Sequence, residues 1–118
     1  MTFTFQKIDS IETTVKFSSP DPTGKRKKLS NSLQVEFTKL TVSELNNISD
    51  RLNDPEDEYE AQELMRENII NISGVLDPDG NEVEFSNNLL EMLIDTEYVL
   101  SPLVESFFDL QRTKKAKN

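Results

Sequence analysis

The stretch LQVEFTKLTVSE, residues 33–44, holds the change of period that decides the fold. In its first half Leu33, Val35 and Phe37 recur at every second position, as a strand with one buried face requires. In its second half the period turns helical. Thr41 and Glu44 stand at capping-box spacing, and Leu45, Ile48 and Leu52 follow at intervals of three and four. The chain passes from β to α structure near residue 40. The expectation is an α+β fold: an N-terminal antiparallel β-hairpin or small sheet, then a compact bundle of about four helices.

Upstream, Thr13-Thr14-Val15-Lys16-Phe17 alternates in the same way and pairs with Leu33–Thr38. The intervening SSPDPTGKRKK contains two prolines, a glycine and a basic run, which cannot continue a strand, so it reads as a long exposed loop. Phe3 and Phe5 repeat the two-residue spacing and point to a short third strand.

Downstream, the helix opened by Thr41 should stop near Asn53-Asp54-Pro55. A second should start after Pro55 and carry Tyr59, Leu64, Met65, Ile69, Ile70 and Ile72 as far as Gly74. Glu56, Asp57, Glu58 and Glu60 then fill its first turn, the sign that the helix macrodipole favours there. Ser86 caps a third helix with Leu89, Leu90, Leu93 and Ile94 on its apolar stripe. Thr96 caps a fourth, carrying Tyr98, Val99, Leu103, Val104, Phe107, Phe108 and Leu110. Pro102 lies inside it, so either the helix bends there or Thr96–Leu100 forms a separate turn. Residues 1–111 read as one domain, with a β part over 1–40 and a helical part over 41–111. The basic residues 112–118 read as a flexible tail.

The acidic loop Asp77-Pro78-Asp79-Gly80-Asn81-Glu82 invites a metal reading. A calcium-binding EF-hand loop needs its glycine sixth and a bidentate glutamate twelfth, and here those positions, counted from Asp77, hold Glu82 and Asn88. Turn chemistry fits better: Pro78 presets φ, Asp79 tolerates the next position and Gly80 supplies a positive φ. The segment is expected to form a small hairpin or sharp connection between two helices.

The 118 residues include no cysteine and no histidine, which removes thiol nucleophiles, Ser-His-Asp hydrolysis and the usual zinc sites. Asp50, Asp54, Asp57 and Glu63 could be considered as an acid/base set, but their polar surroundings give no cause for the divergent pKa values such a pair needs. No catalytic, metal-binding or cofactor-binding residue is assigned. Asn47-Ile48-Ser49 and Asn71-Ile72-Ser73 match the glycosylation sequon by chance, because MTFTFQKIDS lacks the layout of a secretory signal. The expected location is the cytoplasm where the chain is made. No apolar run approaches the ~20 residues that span a bilayer, so no membrane is expected as partner.

The net charge of -9 is unevenly placed. Residues 1–40 hold 7 basic against 4 acidic residues, residues 41–111 hold 2 against 18, and residues 112–118 hold 4 against none. So acidic a centre repels phosphate backbones, and the short clusters Lys25–Lys28 and Arg112–Lys117 lack interleaved aromatics, so no nucleic-acid partner is expected. The Lys25 cluster is either a solvated loop or a surface that orients a partner.

From Ile69 to Asn118 the chain resembles the bacteriophage tail assembly chaperones. The likeness lies in an apolar segment reaching Gly74-Val75, then Asp77-Pro78-Asp79-Gly80-Asn81, Val83-Glu84-Phe85-Ser86-Asn87-Asn88-Leu89-Leu90, Leu93-Ile94-Asp95 and Tyr98-Val99, with Phe107-Phe108 and Lys117-Asn118 closing the order. Where relatives often carry tryptophan, this chain has Ile72, which keeps the position apolar. The resemblance implies a non-enzymatic escort that binds the tape measure protein, acts with the major tail tube protein in assembly, works in the host bacterial cytoplasm and is absent from the mature virion. It also implies that a frameshifted longer form would extend from the basic tail.

Phe107, Phe108 and Leu110, at the end of the last helix, are the candidate partner-binding residues, and core packing is their competing reading. A homo-oligomer is compatible with the composition. Two rival functions are an acidic mimic of DNA that inhibits a host nucleic-acid-binding protein, and a structural subunit of the tail.

Overall fold

The computed structural model describes residues 2–112. Strands β1 (Ser10–Pro20) and β2 (Lys28–Thr38) pair antiparallel without interruption from Ser10↔Thr38 to Pro20↔Lys28. The connecting loop therefore narrows to residues 21–27, shorter than the proline and basic run suggest. Asp21 ties it down: its carboxylate accepts from the Thr23 amide at 2.9 Å, the Thr23 hydroxyl at 2.7 Å and the Arg26 amide at 3.0 Å. A local hydrogen-bonded turn of this kind lets both strands run to the tip.

The third strand is not the one expected. Residues 2–9 form no strand, and Phe3 and Phe5 are 84% and 80% exposed. Instead β3 (Ile69–Ser73) lies antiparallel on the far side of β2, giving the order β1-β2-β3. The segment read as the end of the second helix is thus an edge strand. Its register explains the misreading: Glu36 pairs with Asn71 and Phe37 with Ile69, so a bulge absorbs Ile70. Ile69 and Ile72 both become buried although three residues apart, a spacing that imitates a helix. The β-branched run Ile69-Ile70-Asn71-Ile72 favours the strand.

Helix α1 (Val42–Asn53) begins as its capping box directs: the Thr41 hydroxyl accepts from the Glu44 amide at 3.2 Å and Glu44 accepts from the Thr41 amide at 2.9 Å. Helix α2 (Ala61–Asn68) begins later than Pro55 suggests. Asp54 and Asp57 each accept from the main-chain amide two residues on, at Glu56 and Tyr59, and these side-chain turns compete with helix over the acidic run. Glu56, Asp57 and Glu58 accordingly precede the helix, and Glu60 is its cap.

Helix α3 (Asn87–Ile94) is capped by Ser86, whose hydroxyl accepts from the Leu89 amide at 3.1 Å. Helix α4 (Glu97–Gln111) is one helix with Pro102 inside it, so no separate turn forms. Pro102 lacks the N–H that would reach the Tyr98 carbonyl, one bond lost near the start. Thr96 occupies the cap position, but its hydroxyl donates back to the Met92 carbonyl at 2.9 Å and makes no cap bond.

The sheet and the helices share one core. Val15, Leu33, Val35, Phe37 and Ile72 of the sheet's inner face are buried with Leu103 and Phe107 of α4 and with Leu64, Met65 and Ile94 of α2 and α3. Phe37 and Phe107 meet edge to face with centroids 5.6 Å apart. One turn further along, Gln111 is buried and clamps the β2–α1 connection: its amide nitrogen donates to the Thr38 carbonyl at 2.7 Å and its oxygen accepts from the Leu40 amide at 2.8 Å. Lys39 adds a bond from its ammonium to the Gln111 carbonyl at 3.1 Å.

Truncating Phe107 to alanine removes a ring from this junction and should cost about 3–5 kcal/mol of stability. Gln111→Leu should cost about 1–3 kcal/mol by stranding the Leu40 amide and Thr38 carbonyl. Urea denaturation measures both, and losses well under 1 kcal/mol would contradict the assignment of this junction.

Candidate interaction surface

Of the three sequence-nominated contact residues, Phe107 is fully buried and Phe108 and Leu110 are half-buried. Core packing, the competing reading, holds for Phe107. The reason is helical geometry: Phe107 follows Leu103 by four residues and Val99 by eight, so it lies on the stripe turned to the sheet. Phe108 packs against Phe107 with centroids 5.3 Å apart and lies under the Arg112 guanidinium.

The apolar surface that does reach solvent lies elsewhere. Strand β3 pairs with β2 only over Gln34–Phe37, so among the described residues Lys28–Leu33 has β1 on one side and no strand on the other. Gly74, at φ +94°, lies against the Ser32–Gln34 main chain and ends the pairing, in a conformation that L side chains rarely adopt. Beside this unpaired edge lies a cleft of roughly 270 Å³, lined by Phe17 of β1, Leu33 of β2, Leu76, Leu93 of α3 and Tyr98 of α4. Leu76 is 63% exposed and Tyr98 42%.

The acidic loop begins at Leu76 of the cleft, and Asp77 holds its turn. The Asp77 amide donates to the Asn81 carbonyl at 2.8 Å and the Gly80 amide to the Asp77 carbonyl at 3.0 Å. One Asp77 carboxylate oxygen accepts from the amides of Asp79 and Asn81, both at 2.9 Å. Gly80 has φ +86°, as the turn requires, and an isolated bridge between Leu76 and Glu82 closes the hairpin. The hairpin joins a strand to a helix, since β3 precedes it, and not two helices as expected. Among the described residues no group of three or more acidic side chains stands together as a metal site requires.

A polar cluster joins α1 to α2. The Arg51 guanidinium stacks 4.0 Å over the Tyr59 ring and pairs with Asp57 at 3.1 Å, while the Tyr59 hydroxyl donates to Glu67 at 2.6 Å. Burial and the Glu67 carboxylate push the Tyr59 phenol above its ordinary value. These groups satisfy one another, which makes the cluster a lock between helices.

Sequence reasoning placed Phe17, Leu76 and Tyr98 in a strand, a turn flank and a helix stripe without bringing them together. Leu76 carried the one available signal: it stands between a glycine and an Asp-Pro turn, where few neighbours can cover it. Among the described residues no helix is long and apolar enough to cross a membrane. Comparison with protein-family models, with curated proteins and with solved structures returned no match.

Arg66 on α2 ties down α3 beside this surface, with Nε 2.7 Å from Glu91 and a second bond of 2.9 Å to Glu63. The hydrogen bond from Arg66 holds the Glu91 carboxyl below its ordinary value. A depressed folded-state pKa gives stability that is present above the unfolded value and lost as pH falls through the folded one. The destabilisation caused by Glu91→Gln should therefore be measurable at neutral pH, shrink below about pH 4.3 and vanish at lower pH. Denaturation midpoints of both proteins across that range test this; a difference that persists unchanged in acid would contradict it.

Proposed function

We propose that the protein is a non-enzymatic assembly chaperone of the bacteriophage tail type, which covers an apolar helical stretch of the tape measure protein while tail tube subunits assemble. The observation that carries this reading is the cleft beside the unpaired edge of β2, where Phe17, Leu33, Leu76, Leu93 and Tyr98 offer apolar surface on an otherwise strongly charged chain. A long helical client aggregates through its apolar stripe unless that stripe is covered, and a cleft between a β-arm and a helix pair can seat such a stripe. The resemblance of residues 69–118 to the tail assembly chaperones supports the same role. On this reading the protein works in the host bacterial cytoplasm and leaves before the virion is complete.

The rival reading as an acidic mimic of DNA draws on the excess of carboxylates over residues 41–111. Several of them have local tasks: Glu44 caps a helix, Asp57 and Glu91 pair with arginines, and Asp77 holds a turn. A mimic needs carboxylates presented outward at phosphate-like spacing, so these engagements favour the escort.

Co-expression with a tape measure protein should raise the soluble fraction of that client severalfold, and Leu76→Asp should abolish the gain while leaving the fold intact by circular dichroism. Binding should persist from low to moderate salt, unlike the steeply salt-dependent binding of a phosphate mimic. No gain in client solubility, or recovery of the protein from finished virions, would sink the proposal.

A further inference from the structure

The N-terminal segment, residues 2–9, has the makings of a strand and no sheet to join. Thr2-Phe3-Thr4-Phe5-Gln6 alternates polar and aromatic residues, and the two rings meet edge to face with centroids 6.4 Å apart while standing 84% and 80% exposed. Among the described residues, the Lys28–Leu33 part of β2 has no strand beside its second edge. The Lys39 amide donates to the Asp9 carbonyl at 2.8 Å, which fixes the odd-numbered residues of β2 as those bonded to β1. By alternation, the main-chain groups of Lys28, Ser30 and Ser32 face the opposite side; Gly74 lies against the Ser32 carbonyl, and Lys28 and Ser30 lie beyond it. The apolar cleft adjoins that side.

We propose that the N-terminal segment of one copy adds as a strand to the Lys28–Asn31 edge of a second copy, placing Phe3 and Phe5 in the cleft lined by Phe17, Leu33, Leu76 and Tyr98, and that the exchange is reciprocal and forms a dimer.

Reach makes the exchange intermolecular. From Ser10, five extended residues carry Phe5 at most about 17 Å. The level of Phe17 and Asn31 on the far edge of β2 lies seven residues along the strand and two strand spacings across, about 25 Å away. A chain cannot bring Phe5 to that level of its own edge, whereas a second copy can. Period-two alternation puts Phe3 and Phe5 on one face, so both rings enter the cleft together while the threonines face the solvent side.

Area makes the exchange reciprocal. Each buried phenylalanine removes about 150–200 Å² from water, so the four rings of a two-way exchange, with the surface they cover, reach the ~1,200–2,000 Å² of stable interfaces, and a one-way contact does not. Charge sets the direction. A strand parallel to β2 brings Lys7 toward Gly74 and the acidic hairpin of Asp77, Asp79 and Glu82, whereas the antiparallel alternative brings Lys7 against the basic tip at Lys25–Lys28. The chaperone reading seats a client in the same cleft, so the exchanged segment and the client compete for it and the dimer is the form closed to a client.

Light scattering coupled to size exclusion, at concentrations spanning the transition, tests the proposal on the full chain. The unaltered protein should be a dimer that dissociates on dilution. The double variant Phe3→Ser with Phe5→Ser, made in a segment outside the core, should raise the dimer dissociation constant about a hundredfold or more. Ser30→Pro removes a main-chain donor from the open edge without touching a bond to β1, and should also give a monomer with unchanged circular dichroism. A monomeric unaltered protein at every concentration, or a dimer that survives loss of both rings, overturns the proposal. Light scattering reads the dimer and client solubilisation reads the chaperone, so failure of one is distinguishable from failure of the other.

Discussion

The placement of α4 across the inner face of the sheet is the constraint on which the other elements depend. Phe107 meets Phe37 at the middle of the core, and Gln111 grips the main chain on both sides of Lys39, where strand gives way to helix. The first contact is apolar and fixes distance. The second is polar and fixes register, since the Gln111 amide satisfies a carbonyl and an amide that the end of β2 and the start of α1 leave unpaired. With α4 held at that end, its Val99 and Leu103 lie over the sheet and α2 and α3 close around it.

The same arrangement accounts for the open cleft. Each strand of the hairpin has eleven residues and β3 has five, so β3 covers only the end of β2 nearest α1. The bulge at Ile70 lets this short strand bury both Ile69 and Ile72, and Gly74 then leaves the sheet. A β-edge exposed in this way invites pairing with another chain. The four basic residues at Lys25–Lys28 guard the tip of the arm, as edge charges do, while leaving the stretch nearest the cleft open.

Where local chemistry was decisive, the sequence was legible. The capping box at Thr41, the cap at Ser86 and the turn at Asp77-Gly80 have the hydrogen bonds that their residue types demand, and the change of period at residue 40 marks the real boundary between β2 and α1. Legibility failed where tertiary pairing chose between local options. Phe3 and Phe5 have strand periodicity with no neighbour in the sheet, and Ile69 and Ile72 have helical spacing inside a bulged strand. A period of three is shared by a helix face and by a bulge, so spacing alone could not separate them; the β-branched character of the run was the better guide. The cleft was invisible for the same reason, because Phe17, Leu76 and Tyr98 are remote in sequence and meet only once β3 proves shorter than β2.

Charge shows how function and architecture divide the same residues. The acidic centre of the chain suggests a surface made for a basic partner, yet its carboxylates repeatedly serve the backbone: Asp54 and Asp57 set the α1–α2 turn, Glu44 completes a cap, Asp77 holds a hairpin and Glu82 accepts from the Gly74 amide at 3.2 Å. A carboxylate engaged with one or two amides has its orientation chosen by the fold, and only the remaining acidic side chains are available to shape an external field. The opposite holds for the apolar residues at the cleft. Leu76 and Tyr98 are exposed although the core lies close by, and no turn or cap requires an apolar side chain at either place. An apolar residue without a local task is therefore a stronger pointer to a partner in this chain than an acidic residue with one.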